Sequence, residues 1–140
     1  MQYSYGIIPF LKENNKYKFL LVQHYGGHRW FPKWQVEVNE TPLQTARREV
    51  FEETGLSNIN VLPNIYFDHY YYFPDRNGGL VHKRVGFFVG EIYDATVVLQ
   101  KEELKNYSWE GFDDSMKLLT FDSDKNILKK AYEAIKSLSL

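Results

Sequence analysis

Three glutamates, Glu49, Glu52 and Glu53, stand at i, i+3 and i+4 in the segment TARREVFEETGL. On a helix that spacing gathers their side chains on one face. Two carboxylates about 4 Å apart repel by roughly 4 kcal/mol at an effective dielectric near 20. Three beside a partly buried cleft are a poor choice for stability alone. A shared divalent cation reverses the sign of that cost, and carboxylate oxygens suit Mg²⁺ or Mn²⁺. The bland alternative is a solvated acidic patch, and spacing by itself does not exclude it.

The helix that must carry these acids announces its own ends. Thr41 is a threonine N-cap, Pro42 occupies the first helical position, and Gln44 completes a capping box. Gly55 stops the helix after Thr54. Leu43, Ala46 and Val50 make a separate apolar stripe that can dock on a sheet. Upstream, SYGIIPFLK and YKFLLVQHY are β-rich runs joined by ENNK, a hairpin connection, and GGHRWFPKW is expected to be a loop. Downstream, NINVLPNIYF, DHYYYF and HKRVGFFVGEIY are further strands, with PDRNGG as a turn and TVVL as one more short strand. From Asp122 the tail is helical, with Ile127, Leu128, Ala131, Ile135 and Leu138 along one stripe. Several strands, a helix, more strands and a terminal helix imply an α/β (α+β) fold, a mixed sheet covered by helices on both sides.

Composition narrows the function classes. The chain has 140 residues, enough for one cored domain, so residues 1–140 are read as a single unit. It has no cysteine, which excludes disulfides and thiolate metal sites. A net charge of −1 provides no global field for nucleic acid or an anionic membrane, and long nucleic acid is not expected as a partner. The opening residues MQYSYGIIPFLKENN carry neither a basic leader nor a long apolar run, which implies a soluble, cytoplasmic protein, expected to be a monomer. The 24 tyrosines, phenylalanines and tryptophans exceed what a core this small demands, and the surplus suits a pocket for flat groups.

The acidic segment resembles the signature of the Nudix hydrolases, G-x5-E-x7-R-E-U-x-E-E-x-G-U, where U is a bulky aliphatic residue. Glu40, Arg48, Glu49, Glu52, Glu53 and Gly55 occupy its six exact positions after the opening glycine, and Val50 and Leu56 its aliphatic ones; the box runs from about residue 34 to 56. The resemblance implies an α/β/α sandwich in which Glu49, Glu52 and Glu53 hold Mg²⁺ (or Mn²⁺), one of them also serving as base. It further implies that Arg48 orients the acids and that Glu40 supports the loop.

FPKWQVE followed by NE resembles the asymmetrical diadenosine tetraphosphate hydrolases of that family, which makes Lys33 and Lys83 (in HKRVGFF) candidate substrate contacts. Glu103, in the pattern E-x3-Y-x-W with Tyr107 and Trp109, becomes a further candidate metal ligand or base, with Glu102 as the alternative if the register slips by one. Tyr72 and Phe87 are candidates to stack a purine, with burial in the core as the alternative. His24, His28, His69 and His82 receive no role.

The expected activity is metal-dependent hydrolysis of a nucleoside polyphosphate, favouring diadenosine tetraphosphate cleaved to ATP and AMP. The alternatives are action on nucleoside triphosphates or RNA 5′ ends, and a nucleotide-binding module without turnover. The last of these arises from Trp34, which stands where the signature opens on glycine. A position that needs left-handed φ, or leaves no space, would punish an indole. Trp34 is therefore expected either to distort the loop or to lie over a base. Asn39 replaces a second glycine more mildly, and Gln35 stands where a histidine is common.

Overall fold

The computed structural model describes residues 1–138. Its centre is strand β1 (Gln2–Glu13), which is hydrogen-bonded on both sides. It pairs antiparallel with β2 (Lys16–His24), and its first half also pairs antiparallel with β4 (Lys33–Gln35). On its other side it runs parallel to β6 (Leu80–Ile92). Strand β3 (Arg29–Trp30) and β7 (Leu104–Glu110) border β2, and β5 (Ile59–Pro74) closes the far edge against β6. One parallel pair among antiparallel ones makes the expected mixed sheet.

Alternation along β1 and β2 builds the two sides of the sandwich. Ile8, Phe10, Phe19 and Leu21 point to one face, where α3 (Asp122–Ser137) lays down Ile127, Leu128, Ala131 and Ile135. Tyr5, Ile7 and Leu20 point to the other, where α1 (Pro42–Thr54) contributes Ala46 and Val50. Fully burying each such aliphatic or aromatic side chain contributes about 1.5–3 kcal/mol. The α3 stripe ends one turn earlier than the sequence suggests, because Leu138 lies past the helix and is half exposed.

Four local expectations are corrected. The segment GGHRWFPKW contains β3 and β4, which are too short to show any period of their own. NINVLPNIYF and DHYYYF are one strand, β5, whose pairing is interrupted between Val61 and Tyr66, where Asn64 takes φ 63°. TVVL is not a strand. Its amides turn to the end of α1, with Val98 N–H donating to the Thr54 carbonyl (2.9 Å) and Gln100 N–H to that of Glu53 (3.0 Å). A short helix, α2 (Phe112–Leu118), and β7 fall where no element was expected. Among the described residues, no helix is long and apolar enough to cross a membrane.

Candidate functional site

Helix α1 starts and stops as its sequence dictates. Thr41 Oγ1 accepts from Gln44 N–H (3.2 Å), and the Gln44 side chain accepts from Thr41 N–H (2.9 Å). At the other end Gly55 takes φ 76° and donates to the Phe51 carbonyl (2.8 Å). These caps fix where the acidic face points.

Arg48 ties that face to the preceding loop. Its Nε donates to Glu40 Oε2 (2.6 Å) and its Nη2 to Glu40 Oε1 (3.0 Å), a bidentate pair. Its Nη1 donates to Glu49 (2.6 Å) and Glu52 (3.1 Å), and Nη2 reaches the Gln35 carbonyl of β4 (3.3 Å). Glu40 also accepts from Glu37 N–H and Thr45 Oγ1. With the Arg48 hydrogen bonds as the leading cause, the Glu40 carboxyl is held down to about 2.

Glu53 is in the opposite condition. It is 1% exposed, and its Oε2 has no hydrogen-bond partner. Burial first, then the charges of Glu49 and Glu103, push its carboxyl up to about 9. Burial also raises Glu49, against the pull of Arg48. Glu103 acts on both Glu49 and Glu53. The cause is the strap that ends α1. Gln100 is bonded to the Glu53 carbonyl, and Glu103 N–H donates back to Gln100 (3.3 Å), which sets the acid beside the helix.

Among the described residues, no three histidine, aspartate or glutamate side chains already converge as a metal cage. Arg48 occupies two of the acids instead. The donor set nonetheless fits a divalent ion. Glu49, Glu52, Glu53 and Glu103 offer hard oxygens, and the partnerless buried Glu53 oxygen is a cost that only a proton or a cation removes.

Lys33 sits on the far side of this cluster. Gly6 makes room for it, since a Cβ there would collide with the Pro32 carbonyl and the Lys33 side chain. Burial lowers the Lys33 ammonium to about 8, and the charges of Asp124, Lys83 and Glu53 all act on it. Its Nζ lies 4.0 Å from the centre of the Trp30 ring. Beyond it opens a cavity of about 300 Å³ lined by Trp30, Lys33, His69, Tyr71, Phe121 and Asp124, with Ser123 at its edge. Asp124 is 2% exposed, and burial outweighs Lys33 to raise its carboxyl to about 6. The ring nitrogens Trp30 Nε1 and His69 Nε2 are buried and without partners.

The aromatic expectations divide. Phe87 is 0% exposed and packs edge-on to Phe31 (5.7 Å), so it belongs to the core and presents no face to a base. Tyr72 is 63% exposed and stacks on His82 (4.3 Å), away from the cavity. Its neighbour Tyr71 lines the cavity instead, because successive side chains on a strand take opposite faces. The cavity residues Trp30, His69, Tyr71, Phe121 and Asp124 were missed. The alternation that puts His69 and Tyr71 on the side of Lys83 was the available signal.

Trp34 overturns the expectation of a strained loop. It lies in β4, opposite Tyr5, and is not among the residues with positive φ; Asn39 takes that conformation, at φ 67°. The indole is 46% exposed, with the Lys83 ammonium 5.7 Å from its centre. Lys83 itself is buried, which lowers its ammonium.

Residues 2–131 match the family model described as NUDIX domain. The asymmetrical bis(5′-nucleosyl)-tetraphosphatase of Sus scrofa is 30% identical over 133 residues, covering 91% of this chain and 86% of that protein. The RNA pyrophosphohydrolase of Bartonella henselae is 40% identical over 55 residues, only 39% of this chain and 32% of that protein. Among solved structures, a C. elegans Ap4A hydrolase binary complex superposes with a TM-score of 0.87 at 22% identity, covering 98% of this chain and 99% of the other.

Proposed function

We propose, from the premise that this chain belongs to the Nudix family, that it hydrolyses dinucleoside tetraphosphates asymmetrically, releasing ATP and AMP from diadenosine tetraphosphate. The chain is a pyrophosphohydrolase; the substrate is the inference. One observation carries it. The buried Glu53 carboxyl, whose Oε2 has no partner, acts within its cluster of acids on the buried Lys33, and Lys33 in turn lines an aromatic cavity. Acids for a cation, an ammonium for phosphate and rings for a base are thus linked through Lys33.

In this reading Glu49, Glu52, Glu53 and Glu103 would hold Mg²⁺ or Mn²⁺. A bound divalent ion supplies Lewis-acid polarisation of the phosphoryl group and a lowered pKa for water. The chain supplies the rest. Lys33 and Lys83 neutralise phosphate oxygens from a nearly dry environment, where each charge counts for more than in water. Arg48 keeps Glu49 and Glu52 oriented and Glu40 anchors Arg48, so the acid face is preorganised before substrate arrives. One of the clustered glutamates takes the proton of the attacking water, a task a carboxylate within hydrogen-bond reach of that water can perform. Trp30, Tyr71 and Phe121 enclose the adenine, and the buried Asp124 carboxyl can accept from its exocyclic amine.

The match to the pig tetraphosphatase spans most of both chains, whereas the likeness to the RNA pyrophosphohydrolase is confined to a short segment. The test is product analysis with Mg²⁺ and with Mn²⁺ on diadenosine tetraphosphate, ATP and 5′-triphosphorylated RNA. Equimolar ATP and AMP from the dinucleotide is the expected outcome. Two ADP molecules, or preferential release of pyrophosphate from RNA, would overturn it.

A further inference from the structure

The residue that breaks the family signature stands at the outer end of the phosphate-binding lysines. Lys33 faces the aromatic cavity and the acids. The Lys83 ammonium lies 5.7 Å from the centre of the Trp34 ring, and its charge also acts on Lys33. Lys83 therefore links Lys33, which lines the cavity, to Trp34. Two successive ammonium groups suit a chain of phosphates, and an aromatic surface waits at each end of them.

Trp34 is also available. Its ring is 46% exposed, its backbone lies within a strand, and Tyr3 and Val36 beside it are exposed apolar neighbours joined through the Val36 N–H to Tyr3 carbonyl bond (3.2 Å). A half-exposed indole next to a cation gains little from water, and its flat face remains free to stack on a base.

We propose that Trp34 is a specificity-determining residue that stacks on the second nucleoside of a dinucleoside polyphosphate. This rests on the reading of the aromatic cavity as the first base site. A mononucleotide fills the cavity and the lysines but leaves Trp34 untouched. A dinucleotide spans both ends, so Trp34 separates the two classes where glycine could not.

The test measures binding, not turnover. Methylene-bridged, non-hydrolysable analogues of diadenosine tetraphosphate and of adenosine tetraphosphate are titrated calorimetrically into the parent chain, Trp34→Gly and Trp34→Phe. Trp34→Gly should weaken the dinucleotide analogue by about 5- to 100-fold, the scale of one lost base–aromatic stack, and change the mononucleotide analogue by less than about twofold. Trp34→Phe should recover most of the loss, which a loop collapsed by the glycine would not explain. Equal losses for both ligands, or no loss for either, overturn the proposal. The product assay reports separately on the catalytic reading. If the dinucleotide is cleaved but Trp34 does not discriminate, only the platform falls. If it is not cleaved yet Trp34 discriminates in binding, the catalytic reading falls and the platform stands.

Discussion

Glu40 stands just before α1 and Glu53 in its last turn; they carry the same side chain and live in opposite conditions. Glu40 has a partner for each oxygen, and its carboxyl is held near 2. Glu53 is sealed from water, shares its surroundings with other acids, and its carboxyl is driven to about 9. A satisfied carboxylate holds structure together, whereas an unsatisfied one at a cleft is a cost sustained for chemistry. The difference separates the scaffold of the site from its working face, and it can be attacked from either end.

The largest effect is expected at the unsatisfied end. Glu53→Gln keeps the shape and removes the charge, so metal-dependent turnover should fall at least about a hundredfold, the scale of losing one preorganised charge at a reacting centre. Thermal stability without metal should hold or rise, because the variant no longer has to bury an ionisable group. Full activity in that variant, by steady-state kinetics, would remove Glu53 from the reaction.

Next comes the pH dependence of metal binding. In the folded, metal-free chain Glu53 keeps its proton up to about pH 9, while the unfolded chain loses it near the ordinary value of 4.5. The folded value is raised, so the stability linked to this proton is complete below pH 4.5 and declines as pH rises towards 9. A cation must displace the same proton, so its affinity should increase with pH up to that limit, by as much as about tenfold per unit. Melting curves should accordingly show a larger gain from Mg²⁺ at pH 8.5 than at pH 6.5. In Glu53→Gln the slope should flatten.

At the satisfied end, Glu40→Gln leaves Arg48 with a weaker, neutral partner. A lower midpoint is expected from urea unfolding, because a hydrogen bond to a charged group contributes more than one between neutral groups. Turnover should drop by a smaller factor than in Glu53→Gln, because Glu40 acts only through Arg48. A catalytic defect as deep as that of Glu53→Gln, with stability intact, would erase the distinction between the two.

The smallest effect separates two adjacent tyrosines. Tyr71→Ala should raise KM for a nucleotide several-fold, at about 1–3 kcal/mol per lost base stack, whereas Tyr72→Ala should leave KM within about twofold. The opposite result would place the base on the other face of β5.

The helix that carries the candidate acids was legible because its signals are local. Thr41, Pro42, Gln44 and Gly55 mark the helix ends by their own chemistry, and the glutamate spacing then fixes one face. Glu103 was singled out through its distance from Tyr107 and Trp109, and its charge acts on Glu49 and Glu53. The cavity beside Lys33 was not legible, because it is assembled from β3, β4, β5 and the start of α3, elements that meet only after folding. On β5 an error of one residue exchanges Tyr71 for Tyr72 and therefore one face for the other. Phe87 failed for a related reason: an aromatic in a central strand looks the same in sequence whether it faces a ligand or Phe31. For Trp34 only the left-handed-backbone expectation fails, because the residue lies in a strand while Asn39 bears that geometry.

The parallel pairing of β1 with β6 has a consequence for how the chain reaches this state. Gln2 lies against Lys83 and Phe10 against Glu91, so β1 waits for partners about 80 residues downstream, the kind of long-range closure that slows folding. Until β6 emerges, one side of β1 is an open edge bearing SYGIIPF, a β-prone run without charge. During synthesis the β1–β2 hairpin and α1 can form from residues already available, but the strand at the heart of the sheet is completed late. Pairing between nascent copies through that edge is the hazard this topology carries, and a lower expression level or lower temperature is the remedy it recommends.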